Sequence, residues 1–250
     1  MGLIGGHVGY QILRTIGPRR NQTSETVASI VPDPKLKQFF GNDFGQAIQG
    51  RTIIDFGCGI GDQAVSIALI GAGKVIGLDI QEKWLSIARK TAQQFSVSDR
   101  CTFVTGTDEL ADIILSKDAF EHYSDPAATL RRMSSLLKPD GFVLAAFGPT
   151  WLHPYGGHLF SVFPWAHLLF SERALIRWRS DFKYDGARRF SEVEGGLNQI
   201  TIRKFERIVG DSPLKLEWLD TVPIKGARFL KSRVFREVGS SIVRCKLTLR

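Results

Sequence analysis

The segment from Asp55 to Gly61, with the sequence Asp-Phe-Gly-Cys-Gly-Ile-Gly, constrains the fold more than any other part of the chain. It follows a short apolar run at 52–56 and precedes a stretch at 62–70 in which apolar residues have helical spacing. Glycines between a buried strand and a helix let the backbone turn sharply and approach a ligand without an intervening Cβ. The pattern therefore predicts a strand–turn–helix unit whose turn forms part of a ligand site.

Strand and helix patterns continue to alternate up to residue 148. The predicted strands span 52–56, 74–78, 101–105, 111–116 and 142–147, and the predicted helices span 62–70, 82–95 and 125–137. A helical stretch at 201–209 and two further strand patterns, at 214–222 and 241–249, follow near the end of the chain. Such alternation predicts an α/β fold in which helices cover both faces of a mainly parallel sheet.

A carboxylate closes the second predicted strand at Asp79, eighteen residues after Gly61. Ligands of such sheets bind at the carboxyl ends of the strands, so we expect Asp79 to lie beside the glycine turn. A carboxylate there can accept hydrogen bonds from both hydroxyls of a ribose. A dinucleotide-binding turn requires a third glycine where this chain has Asp62. That acid would also repel a pyrophosphate, so the spacing disfavours NAD.

An acid two residues before a GxGxG turn resembles the first motif of class I S-adenosylmethionine-dependent methyltransferases. The likeness continues with Phe120-Glu121-His122, with Asp125-Pro126 and with Leu137-Lys138-Pro139-Asp140-Gly141, a pattern similar to that of the methyltransferase type 11 family. It covers about residues 50 to 148. Asp140 stands where that family has a glycine. The resemblance implies a doubly wound, Rossmann-like sheet, mostly parallel with a C-terminal antiparallel strand, and S-adenosylmethionine as the cofactor.

The resemblance also implies which residues contact the cofactor. In that family the glycine turn wraps the methionine and ribose part of the cofactor, and the acid after the second strand holds the ribose. The predicted cofactor-binding residues are Asp55, Gly57, Cys58, Gly59, Gly61, Asp79, Ile80, Asp108 and Ser116. Asp108, followed by Glu109, is the candidate for the family's adenine-contacting acid. Asp108 lies in a short connection, since only residues 106–110 separate the third and fourth predicted strands.

His122 and His158 are the candidate catalytic residues. Methyl transfer from a sulfonium is an in-line displacement in which the protein mainly positions the reactants. A base is required only if the acceptor must lose a proton, which a neutral imidazole can accept near pH 7. In the alternative interpretation, Glu121 and His122 merely orient the loop after the fourth strand.

A metal site is a further hypothesis, although we expect none. Asp118, Glu121 and His122 would share one face of a helix if this segment were helical. Their spacing resembles the ExxEH metal motif of small-RNA 2′-O-methyltransferases and of some quinone O-methyltransferases, with Asp in place of the first Glu. Such a ligand set would suit Mg²⁺ or Mn²⁺. Many type 11 proteins carry Glu-His without a metal.

The chain divides into three predicted parts. Residues 1–50 are expected to form N-terminal helices and loops, and residues 51–250 the methyltransferase domain. An aromatic-rich insertion at 149–200, directly after the fifth strand, is predicted to cap the substrate. Its aromatic side chains could equally form a second small core.

Composition limits the kinds of acceptor and of cellular compartment that we expect for this chain. No run of eighteen apolar residues and no signal sequence is present in the 250 residues, so neither a membrane span nor secretion is expected. Three scattered cysteines without a CxxC pair favour free thiols in a reducing cytoplasm. A small-molecule acceptor, methylated on O, N or C, is the leading hypothesis.

The basic C-terminus keeps a second acceptor class open. The formal net charge is +8, and 225–250 holds eight Lys or Arg against one acid. These cations could be a solvated tail, or they could bind RNA or another anion. An RNA methyltransferase is therefore the first alternative, although no [DN]PP[YF] motif follows the fourth strand. A cofactor-binding protein without catalysis is the second alternative, and the oligomeric state stays open.

Overall fold

The computed structural model describes residues 2–17, 36–224, 232 and 235–250. The helices are α1 (Gly6–Ile16), α2 (Leu36–Phe40), α3 (Phe44–Ala47), α4 (Asp62–Ile70), α5 (Glu82–Gln94), α6 (Pro126–Ser135), α7 (Ala166–Leu169), α8 (Glu172–Arg179), α9 (Ile202–Gly210) and α10 (Arg236–Gly239). The strands are β1 (Thr52–Phe56), β2 (Lys74–Leu78), β3 (Cys101–Val104), β4 (Ala111–Lys117), β5 (Leu137–Phe147), β6 (Leu214–Pro223) and β7 (Ser240–Leu249). Within these ranges no helix is long and apolar enough to cross a membrane.

The seven strands form one sheet in the order β3-β2-β1-β4-β5-β7-β6. β1, β2, β3, β4 and β5 pair in parallel, whereas β7 is antiparallel to both of its neighbours. The predicted mostly parallel sheet with a C-terminal antiparallel strand is therefore confirmed. Because the chain leaves β1 toward β2 on one side and later returns to β4 on the other, the topological switch point lies between β1 and β4. Ligands of open α/β sheets bind in the crevice at that point.

Helices cover both faces of the sheet because its inner strands are apolar on both sides. Ile53 of β1 is buried in a core with α4 and α5. The next residue, Ile54, is buried in a core with α6 and α9, since successive side chains of a strand point to opposite faces. These two layers fix the carboxyl ends of β1, β2 and β4 on a rigid support.

The aromatic insertion forms a third core together with the N-terminal helix. Tyr10 and Leu13 of α1 are buried with Trp178 of α8 and with Phe160 and Phe190. The aromatic residues of the insertion therefore form a small core of their own, which is one of the two alternatives drawn from the sequence. Since α1 packs on α8, the N-terminal helix is held by the insertion. The predicted division into three parts remains a prediction.

The connection from β3 to β4, residues 105–110, contains no helix. It runs from the carboxyl end of β3 to the amino end of β4 and crosses β2 and β1 on the way. Neighbouring strands are about 4.8 Å apart. Six residues can span this distance only if the backbone is extended, at about 3.3–3.6 Å per residue. Arg132 of α6 donates to the Thr107 carbonyl and binds Asp108 at 2.9 Å, and Lys74 binds Glu109 at 2.6 Å. Ion pairs therefore hold this short connection along the sheet.

β5 begins earlier than its sequence pattern predicts. Residues 139–141, predicted to form a turn before the strand, lie within β5. The pairing with β4 shifts its register there, since Leu137 pairs with Ala111 while Phe142 pairs with Ile113. The extra residues form an irregularity in the strand, a feature that alternation alone does not reveal.

Glu237 anchors α9 to the C-terminal part of the chain. Its buried carboxylate accepts hydrogen bonds from the backbone N–H groups of Ile202 at 3.0 Å and Arg203 at 2.8 Å. The first turn of a helix leaves such donors without an intrahelical partner, and a carboxylate there also interacts favourably with the helix dipole.

We predict that Glu237→Ala lowers the free energy of unfolding by about 1.5–3 kcal/mol, because two charge-assisted hydrogen bonds are lost. Chemical denaturation measures the change. Glu217→Ala, on the exposed side of β6, serves as the control and should leave stability unchanged. Equal effects of the two substitutions would contradict the anchoring role.

Candidate active site

The glycine turn is tied to the end of β2. The backbone N–H groups of Gly57 and Cys58 both donate to the Leu78 carbonyl, at 2.8 and 2.9 Å. The N–H of Gly59 donates to Asp79 Oδ2 at 3.0 Å, and the N–H of Gln81 donates to Asp79 Oδ1 at 2.8 Å. The Asp79 carboxylate is therefore fixed between the turn and the start of α5, with further lone pairs available to a ligand.

The three glycines of the turn have different reasons to be glycine. All have positive φ, +85° at Gly57, +50° at Gly59 and +79° at Gly61. A Cβ on Gly61 would lie 2.6 Å from the Ala88 Cβ, so this glycine allows α5 to pack closely. A Cβ on Gly59 would meet no described atom within 4 Å. Gly59 thus borders open space, as the part of the turn that faces a ligand should.

Asp55 is buried at the end of β1 with one acceptor unfilled. Gln63 donates to its Oδ1 at 2.6 Å, whereas Oδ2 has no hydrogen-bond partner among the described residues. Burial, together with a smaller effect of the nearby Asp62 carboxylate, raises the pKa of Asp55 to about 7. Sequence reasoning missed Gln63, because nothing in its spacing from Asp55 marks the contact. An unfilled acceptor beside the turn suits an ammonium donor, such as the amino-acid end of S-adenosylmethionine.

Ile80 extends the site past Asp79. Its side chain is 90 % exposed, which is unusual for an isoleucine directly after a buried strand. It offers apolar surface to a ligand, and its contact with the cofactor stays a prediction. The Asp108 carboxylate binds Arg132 of α6 and is otherwise exposed. Its contact with adenine likewise stays a prediction.

Ser116 supports the site from below. It is fully buried in β4, and its hydroxyl lies 2.9 Å from the hydroxyl of Tyr123. Tyr123 in turn donates to the Phe56 carbonyl at 2.9 Å. Its hydroxyl therefore joins the β4 end to the loop beneath Gly57, and its predicted contact with the cofactor stays a prediction. Tyr123 was missed by the sequence analysis, although it directly follows the Glu-His pair.

Segment 118–122 is a turn and not a helix, so the predicted shared helical face does not exist. Asp118 adopts a left-handed backbone, with φ +51°, and pairs with Lys117 at 3.1 Å. Glu121 and His122 instead lie next to His158 of the insertion, with one potential ligand atom of each residue within 4.8 Å of the others. The ligand set predicted from spacing is therefore wrong in Asp118 and lacked His158.

In the Glu121–His122–His158 group, named here the polar group, two members have shifted pKa values. Burial raises the pKa of Glu121 to about 8, although its Oε1 accepts a hydrogen bond from the Gly148 N–H at 3.2 Å. Burial, together with a smaller effect of the adjacent His122, lowers the pKa of His158 to about 4. Within the described ranges, Glu121 Oε2 and His158 Nε2 are buried without a hydrogen-bond partner.

A cavity of about 330 Å³ opens next to the polar group. It lies between the loop after β4, the insertion and the first turns of α6 and α9. It is lined by His122, Tyr123, Ser124, Pro126, Glu172, Arg189, Ser191, Gly196, Leu197, Asn198, Gln199 and Lys204. Its volume is at the lower end of the range of about 300–1,000 Å³ that is typical of small-molecule sites.

Asn198 joins the insertion to the loop after β4. Its side-chain amide donates to the carbonyls of Phe120 at 2.6 Å and Tyr123 at 2.8 Å, and its backbone N–H donates to the Glu121 carbonyl at 3.0 Å. These three bonds fix the loop that carries Glu121 and His122. Sequence reasoning missed this residue because a single Asn leaves no signal in a spacing pattern.

The described part of the basic C-terminus is engaged with the protein itself. Arg236 pairs with Glu206 at 2.5 Å, Arg244 pairs with Asp220, and Arg250 donates to backbone carbonyls. Paired cations are weaker attractors of a polyanion than free ones. The ammonium group of Lys246 lies over the Phe142 ring, 4.8 Å from its centroid. The other four basic positions of the predicted cluster, 225, 228, 231 and 233, lie outside the described residues.

Two alanine substitutions should separate packing from ligand contact in the glycine turn. We predict that Gly61→Ala destabilises the protein by about 2–4 kcal/mol, because overpacking adds to the strain of a positive φ. Gly59→Ala should cost only the strain, about 1–2 kcal/mol. Urea denaturation of both variants measures the difference. If Gly59→Ala proved as destabilising as Gly61→Ala, Gly59 would not border open space.

The shifted pKa of Asp55 predicts a pH-dependent stability. The unfolded chain loses this proton near pH 3.8, whereas the folded protein retains it up to about pH 7. The carboxyl group therefore destabilises the fold progressively as the pH rises between these values. We predict that Asp55→Asn has the wild-type melting temperature at pH 4 and a higher one at pH 8. Asp99→Asn, on the surface, is the control, and a gain for Asp55→Asn that is the same at both pH values would refute the assignment.

Comparison with known proteins identifies the domain. Residues 49–147 match the family described as a methyltransferase domain. A ubiquinone biosynthesis O-methyltransferase of Neisseria meningitidis is 37 % identical over 103 residues, which cover 38 % of this chain and 43 % of that protein. A ribosomal protein L11 methyltransferase of Photobacterium profundum is 36 % identical over 98 residues, which cover 39 % of this chain and 33 % of that protein. The chain thus matches less than half the length of these relatives.

The fold is shared with solved structures over a longer stretch. An S-adenosylmethionine-dependent methyltransferase from Mesorhizobium loti superposes with a TM-score of 0.54 at 17 % identity, covering 80 % of this chain and 92 % of that one. The likeness at this identity concerns the fold. Residues 49–147 are thus similar to a methyltransferase domain, and the fold of the described residues is shared with solved S-adenosylmethionine-dependent methyltransferases.

Proposed function

We propose that this protein transfers the methyl group of S-adenosylmethionine to a small-molecule acceptor that binds in the cavity beside His122. The observation that carries the proposal is the position of three groups at the carboxyl ends of β1 and β2. The unfilled oxygen of Asp55, the open side of Gly59 and the fixed carboxylate of Asp79 all lie at these two neighbouring strand ends. Each matches a different part of the cofactor.

Asp79 would accept hydrogen bonds from the ribose hydroxyls, and Ile80 would cover the adenine ring. Asp55 would accept a hydrogen bond from the α-ammonium group, and the backbone at Gly57 and Gly59 would lie against the sulfur-bearing chain. Hydrogen bonds to a charged acceptor contribute roughly 1.5–3 kcal/mol each, so Asp79 should dominate the polar part of the affinity. When bound, the cofactor supplies a methyl group already activated on a sulfonium.

The remaining task of the protein is to position the acceptor. Asn198 and Tyr123 hold the loop after β4, and this loop presents His122 to the cavity. The insertion closes the cavity from the other side with Arg189 and Leu197. Fixed walls on both sides keep the acceptor atom in line with the methyl group, and such orientation contributes strongly to bimolecular transfer. His122 or His158 as a proton acceptor remains a prediction.

The relatives do not decide the acceptor. One is named for ubiquinone biosynthesis and the other for ribosomal protein L11, and each matches less than two fifths of this chain. A small molecule is favoured by the cavity of about 330 Å³, whose volume is within the range typical of small-molecule sites. The self-paired arginines near the C-terminus give no support to the RNA alternative.

Calorimetric titration of S-adenosylhomocysteine into the wild-type protein and Asp79→Ala tests the cofactor assignment. We expect micromolar binding to the wild type and a loss of at least tenfold in Asp79→Ala, since both carboxylate oxygens disappear. Asp140→Ala removes an exposed acid of β5 and should bind like the wild type. NAD should give no heat.

Two results would contradict the proposal. If S-adenosylhomocysteine does not bind to a folded wild-type protein, S-adenosylmethionine is excluded as the cofactor. Unchanged binding to Asp79→Ala would show that the crevice at β1 and β2 is not the cofactor site. Binding without turnover on any hydroxyl, amine or carbon acceptor would favour the alternative of a cofactor-binding protein without catalysis.

A further inference from the structure

The polar group is assembled by folding and not by local sequence. Glu121 and His122 follow β4, whereas His158 begins a short 3-10 helix in the insertion. The ring centroids of the two histidines lie 5.4 Å apart. Bringing two imidazoles and a carboxylate into one buried place is costly unless they share a proton or a cation.

Glu121 lacks the partners that a buried carboxylate requires. It is 4 % exposed, and only Oε1 has a hydrogen-bond donor, the Gly148 N–H. Oε2 has none in the part of the chain that the structure describes. None of the ion pairs formed by the described residues includes Glu121. A buried carboxyl group in this state keeps its proton, and a cation bound beside it would replace that proton.

His122 is held in the orientation of a metal ligand. Its Nδ1 lies 2.8 Å from the Gly196 carbonyl oxygen, which can only accept a hydrogen bond. Nδ1 therefore carries the proton, and Nε2 keeps its lone pair. Histidines that bind metals usually donate their other N–H to a carbonyl or carboxylate in this manner, which fixes the ring and the tautomer.

His158 supplies a second unsatisfied nitrogen. Its Nε2 is buried without a hydrogen-bond partner among the described atoms. A buried polar atom left unpaired costs about 1–3 kcal/mol. One cation between His158 and Glu121 would satisfy both orphaned atoms at once, and no rearrangement of the backbone is required to bring them together.

We propose that Glu121, His122 and His158 bind one divalent transition-metal ion. Two imidazoles with one carboxylate suit Zn²⁺, Mn²⁺, Co²⁺ or Fe²⁺ better than Ca²⁺ or Mg²⁺, which prefer oxygen ligands. Bonds of roughly 2.0–2.2 Å bring ligand atoms to about 3–3.5 Å from one another. The potential ligand atoms now lie within 4.8 Å of one another, so metal binding requires the three side chains to move closer together. Three protein ligands leave further coordination positions open.

The open positions define the acceptor class, an inference that rests on the proposed function. His122 lines the cavity as well as the polar group. A metal ion there binds an acceptor hydroxyl and lowers its pKa, so that the alkoxide or phenolate attacks. The O–CH₃ bond forms as the S–CH₃ bond breaks, S-adenosylhomocysteine leaves, and the hydroxyl proton goes to solvent. The acceptor is therefore a hydroxyl compound, ideally with a second oxygen that completes a chelate.

Titration of MnCl₂ and CoCl₂ into the chelator-treated full chain tests the site, with calorimetry for stoichiometry and the visible absorption of Co²⁺ for the ligand field. We expect one equivalent to bind. Glu121→Gln and His158→Gln should each weaken binding by at least tenfold. His153→Asn is the matched control, because His153 is also a buried histidine of the insertion but lies outside the polar group. Its metal affinity should equal that of the wild type.

The outcomes separate this inference from the proposed function. S-adenosylhomocysteine binding is measured on the same samples in EDTA. If S-adenosylhomocysteine binds but no equivalent of Mn²⁺ or Co²⁺ does, or if both Gln variants bind metal as tightly as the wild type, the metal site is overturned and the proposed function stands. If metal binds but S-adenosylhomocysteine does not, the proposed function fails alone. A thermal melt checks each variant, and His158→Gln decides the test if Glu121→Gln does not fold.

Discussion

The two hydrogen bonds from the glycine turn to the Leu78 carbonyl are the interaction on which the site depends. They fasten the end of β1 to the end of β2, so that Asp55 and Asp79 face the same crevice. Gly59 adds a third bond, to the Asp79 carboxylate. This geometry requires positive φ angles that only glycine adopts at little cost. The sheet around the glycine turn is rigid because its inner strands are buried on both faces. The hydrogen bonds to β2 hold the turn against this rigid sheet.

A second constraint acts at the end of β4. The Tyr123 hydroxyl joins Ser116 of β4 to the Phe56 carbonyl, and Asn198 holds the same loop from the insertion. The loop that carries Tyr123 therefore lies against both the glycine turn and the cavity beside His122. If the proposed function holds, Tyr123 and Asn198 position the cofactor and the acceptor relative to each other.

The buried charges show where the chain gives up stability for a site. Asp55 and Glu121 are both buried, both have raised pKa values, and each has one oxygen without a partner among the described residues. Elsewhere the buried carboxylate of Glu237 has its acceptors filled by backbone N–H groups. A buried acceptor without a hydrogen-bond donor is unfavourable, and a protein tolerates it where a ligand supplies the missing donor.

The sequence by itself determined the sheet, the cofactor class and the residues of the glycine turn. Strand periodicity, glycine spacing and the acid at Asp79 are local signals, and each depends only on residues a few positions apart. Only the tertiary structure decided that His158 joins Glu121 and His122, that Asp118 does not, and that Ser116 is buried under Tyr123. These contacts link residues from separate elements, and their geometry depends on loop conformations for which spacing carries no information. The shared face of Asp118, Glu121 and His122 depended on a helical segment, and the left-handed backbone at Asp118 instead turns the chain immediately after β4.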